Sequence, residues 1–192
     1  MIELVFATNN LHKLEEVQAV VGDQFRILTL AEIGCTDEIP ETGNTFEANA
    51  SQKSSYLYDK YGYDCFADDS GLEVLALGNE PGVYSARYSG TRDMQKNIDL
   101  LLQRLGNQSD RRARFRTVIS LRVGKAELFF EGTVEGSIGF ERRGDGGFGY
   151  DPLFTPHGHS RTFAQMSAAE KNTISHRAIA VAKLAEFLKT TY

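Results

Sequence analysis

Two aspartates stand side by side in CFADDSG, residues 65–71. Adjacent carboxylates repel each other and gain nothing from apolar packing, so they need a use. One use is a hard divalent cation. Mg²⁺ takes oxygen ligands, and its charge cancels the repulsion. Another is proton transfer, with one carboxylate acting as a base. Asp68, Asp69, Ser70 and Gly71 follow an apolar run that reads as a strand, and ligand sites of α/β proteins gather at such strand ends. Asp-Asp-Ser-Gly is also good turn chemistry, so a solvated turn is the alternative.

Four more stretches carry usable chemistry. ATNNLHK (7–13) places Thr8, Asn9 and Asn10 in a loop before a helix and Lys13 in its first turn. A helix N-terminus presents N–H groups to anions, and the lysine adds charge. The plainer reading is a helix cap. IPETGNTFEANA (39–50) sets Glu41 ahead of a second helix, as a further metal carboxylate or as a surface glutamate. GDGGFGYDP (144–152) surrounds Phe148, Tyr150 and Asp151 with glycines, which let backbone approach a flat ligand while a ring stacks on it. Asp151 could accept from a base or ribose, and a structural turn is the alternative. EKNTISHR (170–177) offers Lys171 to a phosphate, and His176 and Arg177 as donors to a carbonyl on a base. His12, His157 and His159 have no metal-ligand spacing with each other or with cysteine.

These side chains have to be positioned by a mixed set of elements. Residues 2–8 read as a strand, and residues 11–22 as a helix with Leu11, Leu14, Val17 and Val21 on one face. Residues 44–62 read as a helix, 63–67 as a strand, and 91–106 as a helix burying Met94, Ile98, Leu101, Leu102 and Leu105. Residues 112–123 alternate, with Ala113, Phe115, Thr117, Ile119 and Leu121 facing one way and arginines the other. Gly124-Lys125 turns that strand into a partner over 126–136, and residues 167–190 close the chain as one or two helices. Ser167 and Glu170 have capping-box spacing. The expected fold class is α/β, a mixed sheet with flanking helices in a single domain spanning 1–192.

Composition narrows the partners. The 192 residues carry a net charge of −5, so no global basic field recruits nucleic acid or an anionic membrane. The arginine face of 112–123 lacks interleaved aromatics, which weighs against RNA. Two cysteines, Cys35 and Cys65, make no disulfide framework, and no membrane-length apolar run occurs. A cytoplasmic chain with reduced thiols is expected. Phosphate donors, hard-metal oxygens and an aromatic platform together suit a nucleoside triphosphate with Mg²⁺. No Walker loop and no kinase motif set is present.

At this point the motifs match a known pattern. ATNNLHKLEE, ETGNTFEANA, ADDSGLEV, PGVYSARYSG, GGFGYDPLF and EKNTISHR run in order from Thr8 to Arg177. With them the chain resembles the inosine triphosphatase, or Ham1-like, family of non-canonical purine nucleoside triphosphate pyrophosphatases. Where members often carry acidic residues, this chain has Ala48 and Gln165. The resemblance implies hydrolysis of ITP, dITP and XTP to monophosphate and pyrophosphate, Mg²⁺ dependence, and a role in cleansing the nucleotide pool. It also implies a homodimer and an elongated fold of two lobes with a central cleft. By the same resemblance Asp69 is the base and, with Glu41, a metal ligand, with Asp68 the rival base. Thr8, Asn9, Asn10, Leu11, His12 and Lys13 hold the triphosphate. Ser70, Phe148, Gly149, Tyr150, Asp151, Lys171, His176 and Arg177 contact the nucleotide. A pyrimidine-directed Maf-like pyrophosphatase and a non-enzymatic nucleotide sensor remain the other readings.

Overall fold

A computed structural model describes residues 2–22 and 24–191. Seven strands form one mixed sheet, in the order β2-β1-β3-β5-β6-β7, with β4 paired to β3. They are β1 (Ile2–Phe6), β2 (Phe25–Leu28), β3 (Cys65–Val74), β4 (Glu80–Pro81), β5 (Arg112–Val123), β6 (Ala126–Ile138) and β7 (Phe154–Pro156). The helices are α1 (Leu11–Val21), α2 (Phe46–Tyr61), α3 (Met94–Leu105), α4 (Ala168–Ile174) and α5 (His176–Thr191). β1 is parallel to both β2 and β3, whereas β3–β4 and β6–β7 are antiparallel.

The chain divides into two compact units, and β3, β5 and β6 pass through both. The first comprises 1–69, 117–132 and 177–192, and the second 70–116 and 133–176. The first has two cores, one on each side of its strands. Leu4, Phe6 and Phe66 pack with Val17 and Val21 of α1 and Val181, Leu184 and Leu188 of α5. Val5, Ala7, Cys65 and Ala67 pack with Leu57 of α2. The alternation of side chains along a strand makes this division. The second unit centres on Leu72, Ile98, Leu101, Phe115, Phe154 and Phe163.

The strand over 112–123 forms as its alternation predicts, and all five of its inward residues are buried. The capping box at Ser167 and Glu170 is made in both directions. Three expectations are corrected. Asp68, Asp69, Ser70 and Gly71 make no turn, because β3 continues through them for ten residues. Pairing and burial override the turn preference of these residue types. Leu11, at the first position of α1, is 71% exposed rather than part of its buried face. Met94, likewise at the start of α3, is 47% exposed. First-turn residues project beyond the surface that the later turns cover.

Candidate active site

Because β3 runs straight through the two aspartates, their side chains point to opposite faces of the sheet. Asp68 shares the face of Phe66, toward α1 and α5. Asp69 shares the face of Cys65 and Ala67, toward α2. The repulsion that the adjacent pair suggests is relieved by this alternation, and each carboxylate has its own surroundings.

Asp68 is 2% exposed and meets cations. Lys13 Nζ lies 3.1 and 3.0 Å from its two oxygens, and Arg177 Nε lies 3.5 Å away. Lys53 Nζ donates to its backbone carbonyl at 2.6 Å. Burial alone would raise the Asp68 carboxyl, but Lys13, Arg177 and Lys53 outweigh it and hold the group well below its usual range. Arg177, itself 2% exposed, also pairs with Glu16 of α1. Its guanidinium stays charged because Asp68 and Glu16 overcome the cost of burial.

Asp69 has the opposite character. Burial pushes its carboxyl up to about 7, Lys53 opposes the shift, and Glu41 adds to it. Glu41 and Asp69 hydrogen-bond to each other, and Glu41 is held below its usual range by Lys53 despite partial burial. Lys53 Nζ donates to Glu41 Oε1 at 2.9 Å. Asn49 Nδ2 donates to Asp69 Oδ2 at 2.9 Å. Burial thus biases one carboxyl of this facing pair toward its protonated form. Among the described residues no group of three or more His, Cys, Asp or Glu is arranged for a metal. Two carboxylates with the remaining oxygens supplied by phosphates and water is a usual way to hold Mg²⁺, and Glu41 with Asp69 fits that pattern.

At the first loop the capping geometry is realised. Asn10 Oδ1 accepts from the N–H groups of His12 and Lys13 at 3.0 and 3.3 Å, and Thr8 Oγ1 accepts from Asn10 N at 3.1 Å. The N–H groups expected to meet an anion are thus occupied by the cap. Asn9, Leu11 and His12 are exposed, and Lys13 is the charge that reaches inward.

In the second unit, Asp151 organises the glycine-rich stretch. Its Oδ2 accepts from Phe148 N at 2.9 Å and from Lys171 Nζ at 2.7 Å. Lys171 Nζ also lies 4.5 Å from the centre of the Phe148 ring. Gly147 has φ +70°, and a Cβ there would stand 2.0 Å from Asp151 Oδ2, so only glycine fits. Tyr150 is buried and donates to Ser85 O at 2.8 Å, while Gly149 N donates to Met94 Sδ at 3.1 Å. His176 is buried and stacks on Phe115, centroids 4.8 Å apart. Ser70 is half-buried at the start of this unit.

The candidates therefore fall into two groups. Glu41, Asp68, Asp69, Lys13 and Arg177 belong to the first, and Phe148, Asp151, Lys171 and His176 to the second. His176 belongs to the second unit and Arg177, the next residue, to the first. The sequence reading missed Asn49 and Lys53. Their signal was there: Phe46, Asn49, Ala50, Lys53, Ser54 and Leu57 share the buried stripe of α2, and polar residues on an apolar stripe need partners.

A profile of the Ham1 family matches residues 4–187. The dITP/XTP pyrophosphatase of Flavobacterium psychrophilum is 48% identical over 98% of this chain and 100% of its own length. That of Porphyromonas gingivalis is 50% identical over 98% of both chains. The solved structure of the Staphylococcus aureus Ham1 protein superposes with a TM-score of 0.92 at 41% identity, covering 99% of this chain and 100% of that one.

Proposed function

The chain belongs to the Ham1 family, and from that membership and its two polar clusters we propose that it hydrolyses deaminated purine nucleoside triphosphates to monophosphate and pyrophosphate. It is a nucleoside-triphosphate pyrophosphatase, as its relatives named dITP/XTP pyrophosphatase are. Its substrates on this reading are ITP, dITP and XTP, and its use is removal of these nucleotides from the pool. The observation that carries the reading is the facing pair Glu41 and Asp69, with one carboxyl poised near neutrality beside the buried cation Lys53.

Glu41 and Asp69 would hold Mg²⁺, which when bound offsets charge on the phosphate oxygens. Asp69 takes the proton of a water whose oxygen bonds to the α-phosphorus, and the bond from that phosphorus to the pyrophosphate oxygen breaks. A base with a pKa close to the working pH suits this step. Asn49 fixes the Asp69 carboxyl by its hydrogen bond. Lys13 meets phosphate charge, and Asp68 keeps Lys13 and Arg177 in place. Thr8, Asn9 and Asn10 form the loop that faces the triphosphate and Leu11 and His12 open α1 beside it, with Asn10 contributing by its cap rather than by a free N–H.

Base choice follows from hydrogen-bond polarity. Hypoxanthine and xanthine carry a 6-oxo acceptor where adenine carries an amino donor, and a buried donor rewards the first and leaves the second unpaired. His176 takes that role. Arg177 is the second donor of this reading, held in place by Glu16 and Asp68. Phe148 supplies a stacking face, and Ser70, Gly149, Tyr150, Asp151 and Lys171 complete the nucleotide contacts. The family resemblance also supports a homodimer and a cytoplasmic setting, which sedimentation and fractionation would test. No helix among the described residues is long and apolar enough to cross a membrane.

Incubation with ITP, dITP, XTP, GTP, ATP and dUTP, each with Mg²⁺ or EDTA, followed by chromatography of the products, tests the function. IMP and XMP with pyrophosphate, formed only with Mg²⁺ and with little AMP or GMP, is the expected result. Diphosphates with orthophosphate, or turnover of the pyrimidine alone, would overturn the substrate assignment.

A further inference from the structure

Glu41 sits on a stretch, residues 37–43, that is neither helix nor strand. A carboxylate on such a stretch has no element of its own to aim it. Yet the stretch is bonded along α2 at four places. Asp37 Oδ2 accepts from Tyr56 OH, Lys60 Nζ and Tyr61 OH at 3.0, 2.6 and 2.6 Å. Glu41 accepts from Lys53. Thr42 N donates to Gln52 Oε1 at 2.8 Å, and Gln52 Nε2 donates back to Thr42 Oγ1 at 3.0 Å. Gly43 N donates to Asn49 Oδ1 at 2.6 Å.

Of the helix positions involved, 49, 52, 53, 56 and 60 follow one another at helical spacing on one face, and Tyr61 adds a contact at the last residue of α2. The stretch runs back along that face as a strap. It lies flush, since a Cβ on Gly43 would stand 2.7 Å from Ala48 Cβ and 2.8 Å from Asn49 Oδ1. The Asp37 grip holds its carboxyl down to about 2, through Lys60 first and then Tyr61 and Tyr56. Two of the four attachments are residues of the proposed active site. The other two, at Asp37 and Gln52, touch no reacting group.

We propose that Gln52 and Asp37 are positioning residues for Glu41, pinning the strap on both sides of it so that its carboxylate stays against Asp69 and Lys53. Gln52 acts on the residue next to Glu41, and Asp37 anchors the strap four residues before it. The inference rests on the role given above to Glu41. Misplacing a reacting group by about 1 Å can cost on the order of 10²-fold in rate, so a grip this near to a ligand is worth measuring.

The test uses Gln52→Ala, Gln52→Glu and Glu41→Gln. It reads kcat and KM on ITP with Mg²⁺ and, in protein free of metal and substrate, hydrogen exchange of the Thr42 amide by NMR. Gln52→Ala should lower kcat roughly tenfold with KM within about twofold, as expected of lost positioning. It should speed Thr42 exchange at least about tenfold while α2 stays protected, a local opening rather than unfolding. Gln52→Glu keeps the acceptor for the Thr42 N–H and should recover most of kcat. In the Glu41→Gln background Gln52→Ala should cost nothing further. Unchanged kcat, unchanged Thr42 exchange, or a loss that adds fully to that of Glu41→Gln would each overturn the proposal. Wild-type turnover by Glu41→Gln itself would instead remove the underlying role of Glu41, and the two failures are therefore distinguishable.

Discussion

Asp68 and Asp151 are both buried aspartates paired to a lysine, but they sit in different company. Asp68 faces Lys13 and Arg177, and Lys53 holds its carbonyl, all within the first unit. Asp151 in the second unit pairs with Lys171 and accepts the Phe148 N–H on the same oxygen. The first is a dense set of charges in which a neighbouring carboxyl, Asp69, is left close to neutral pH. The second is a lysine–aspartate pair set among the rings of Phe148 and Phe163. Several cations with an adaptable carboxyl suit phosphate chemistry. One locked pair beside aromatic faces suits recognition of a flat base. The difference teaches that burial of an ion is not itself a signature of catalysis, and that the number and kind of its neighbours decide what it can do.

The comparison can be broken by substitutions, taken here from the largest expected effect to the smallest. Asp69→Asn should lower kcat by more than about 10⁴-fold, beyond a pure acid–base contribution, in protein that still melts cooperatively. Near-normal turnover would reassign the base. Asp68→Asn should act chiefly on stability, by about 3–5 kcal/mol in denaturant melts, because it takes the paired carboxylate from Lys13 and one of two from Arg177. Lys171→Ala should cost a similar amount, since it takes the paired cation from the buried Asp151 carboxylate. His176→Ala should narrow the ITP to ATP ratio of kcat/KM at least about tenfold, with a smaller effect on stability. If that ratio survives in both His176→Ala and Arg177→Ala, base reading lies elsewhere.

The two adjacent aspartates also predict pH effects of opposite sign. An unfolded chain loses an aspartate proton near pH ~4. The folded Asp69 carboxyl holds its proton to about 7, so its contribution to stability is whole below pH ~4 and fades as the pH rises to about 7. The Asp68 carboxyl is shifted down, so its contribution is present above pH ~4 and is lost as the pH falls further. Melting temperature against pH, in metal-free protein and its Asp69→Asn and Asp68→Asn variants, separates the two. The smallest effect concerns Cys65, whose thiol burial pushes up to about 12. It should resist alkylation at pH ~8 in the folded protein and react on denaturation.

Periodicity exposed those parts of the fold where one face is mostly apolar, as in β5, with its five inward residues and its turn at Gly124. It failed where polar residues are buried. The Asp-Asp-Ser-Gly segment has the composition of a turn, and only its neighbours on either side in the sheet make it the middle of a strand. Short strands such as Phe25–Leu28 and Phe154–Pro156 are too brief to show a period. At the site, the motif residues were legible as types, but their grouping was not. That Asp68 and Asp69 face opposite sides follows from strand alternation alone, once the strand is known. That Lys53 and Asn49 serve Glu41 and Asp69 depends on tertiary contacts over 12 and 20 residues of sequence, which no local pattern records.

The central claim is that water attacks the α-phosphorus and pyrophosphate departs whole. Hydrolysis of ITP in ¹⁸O-labelled water, with mass spectrometry of both products, tests it most directly. The account predicts one labelled oxygen in IMP and none in pyrophosphate. Label in the pyrophosphate, or label in orthophosphate released beside IDP, would contradict it.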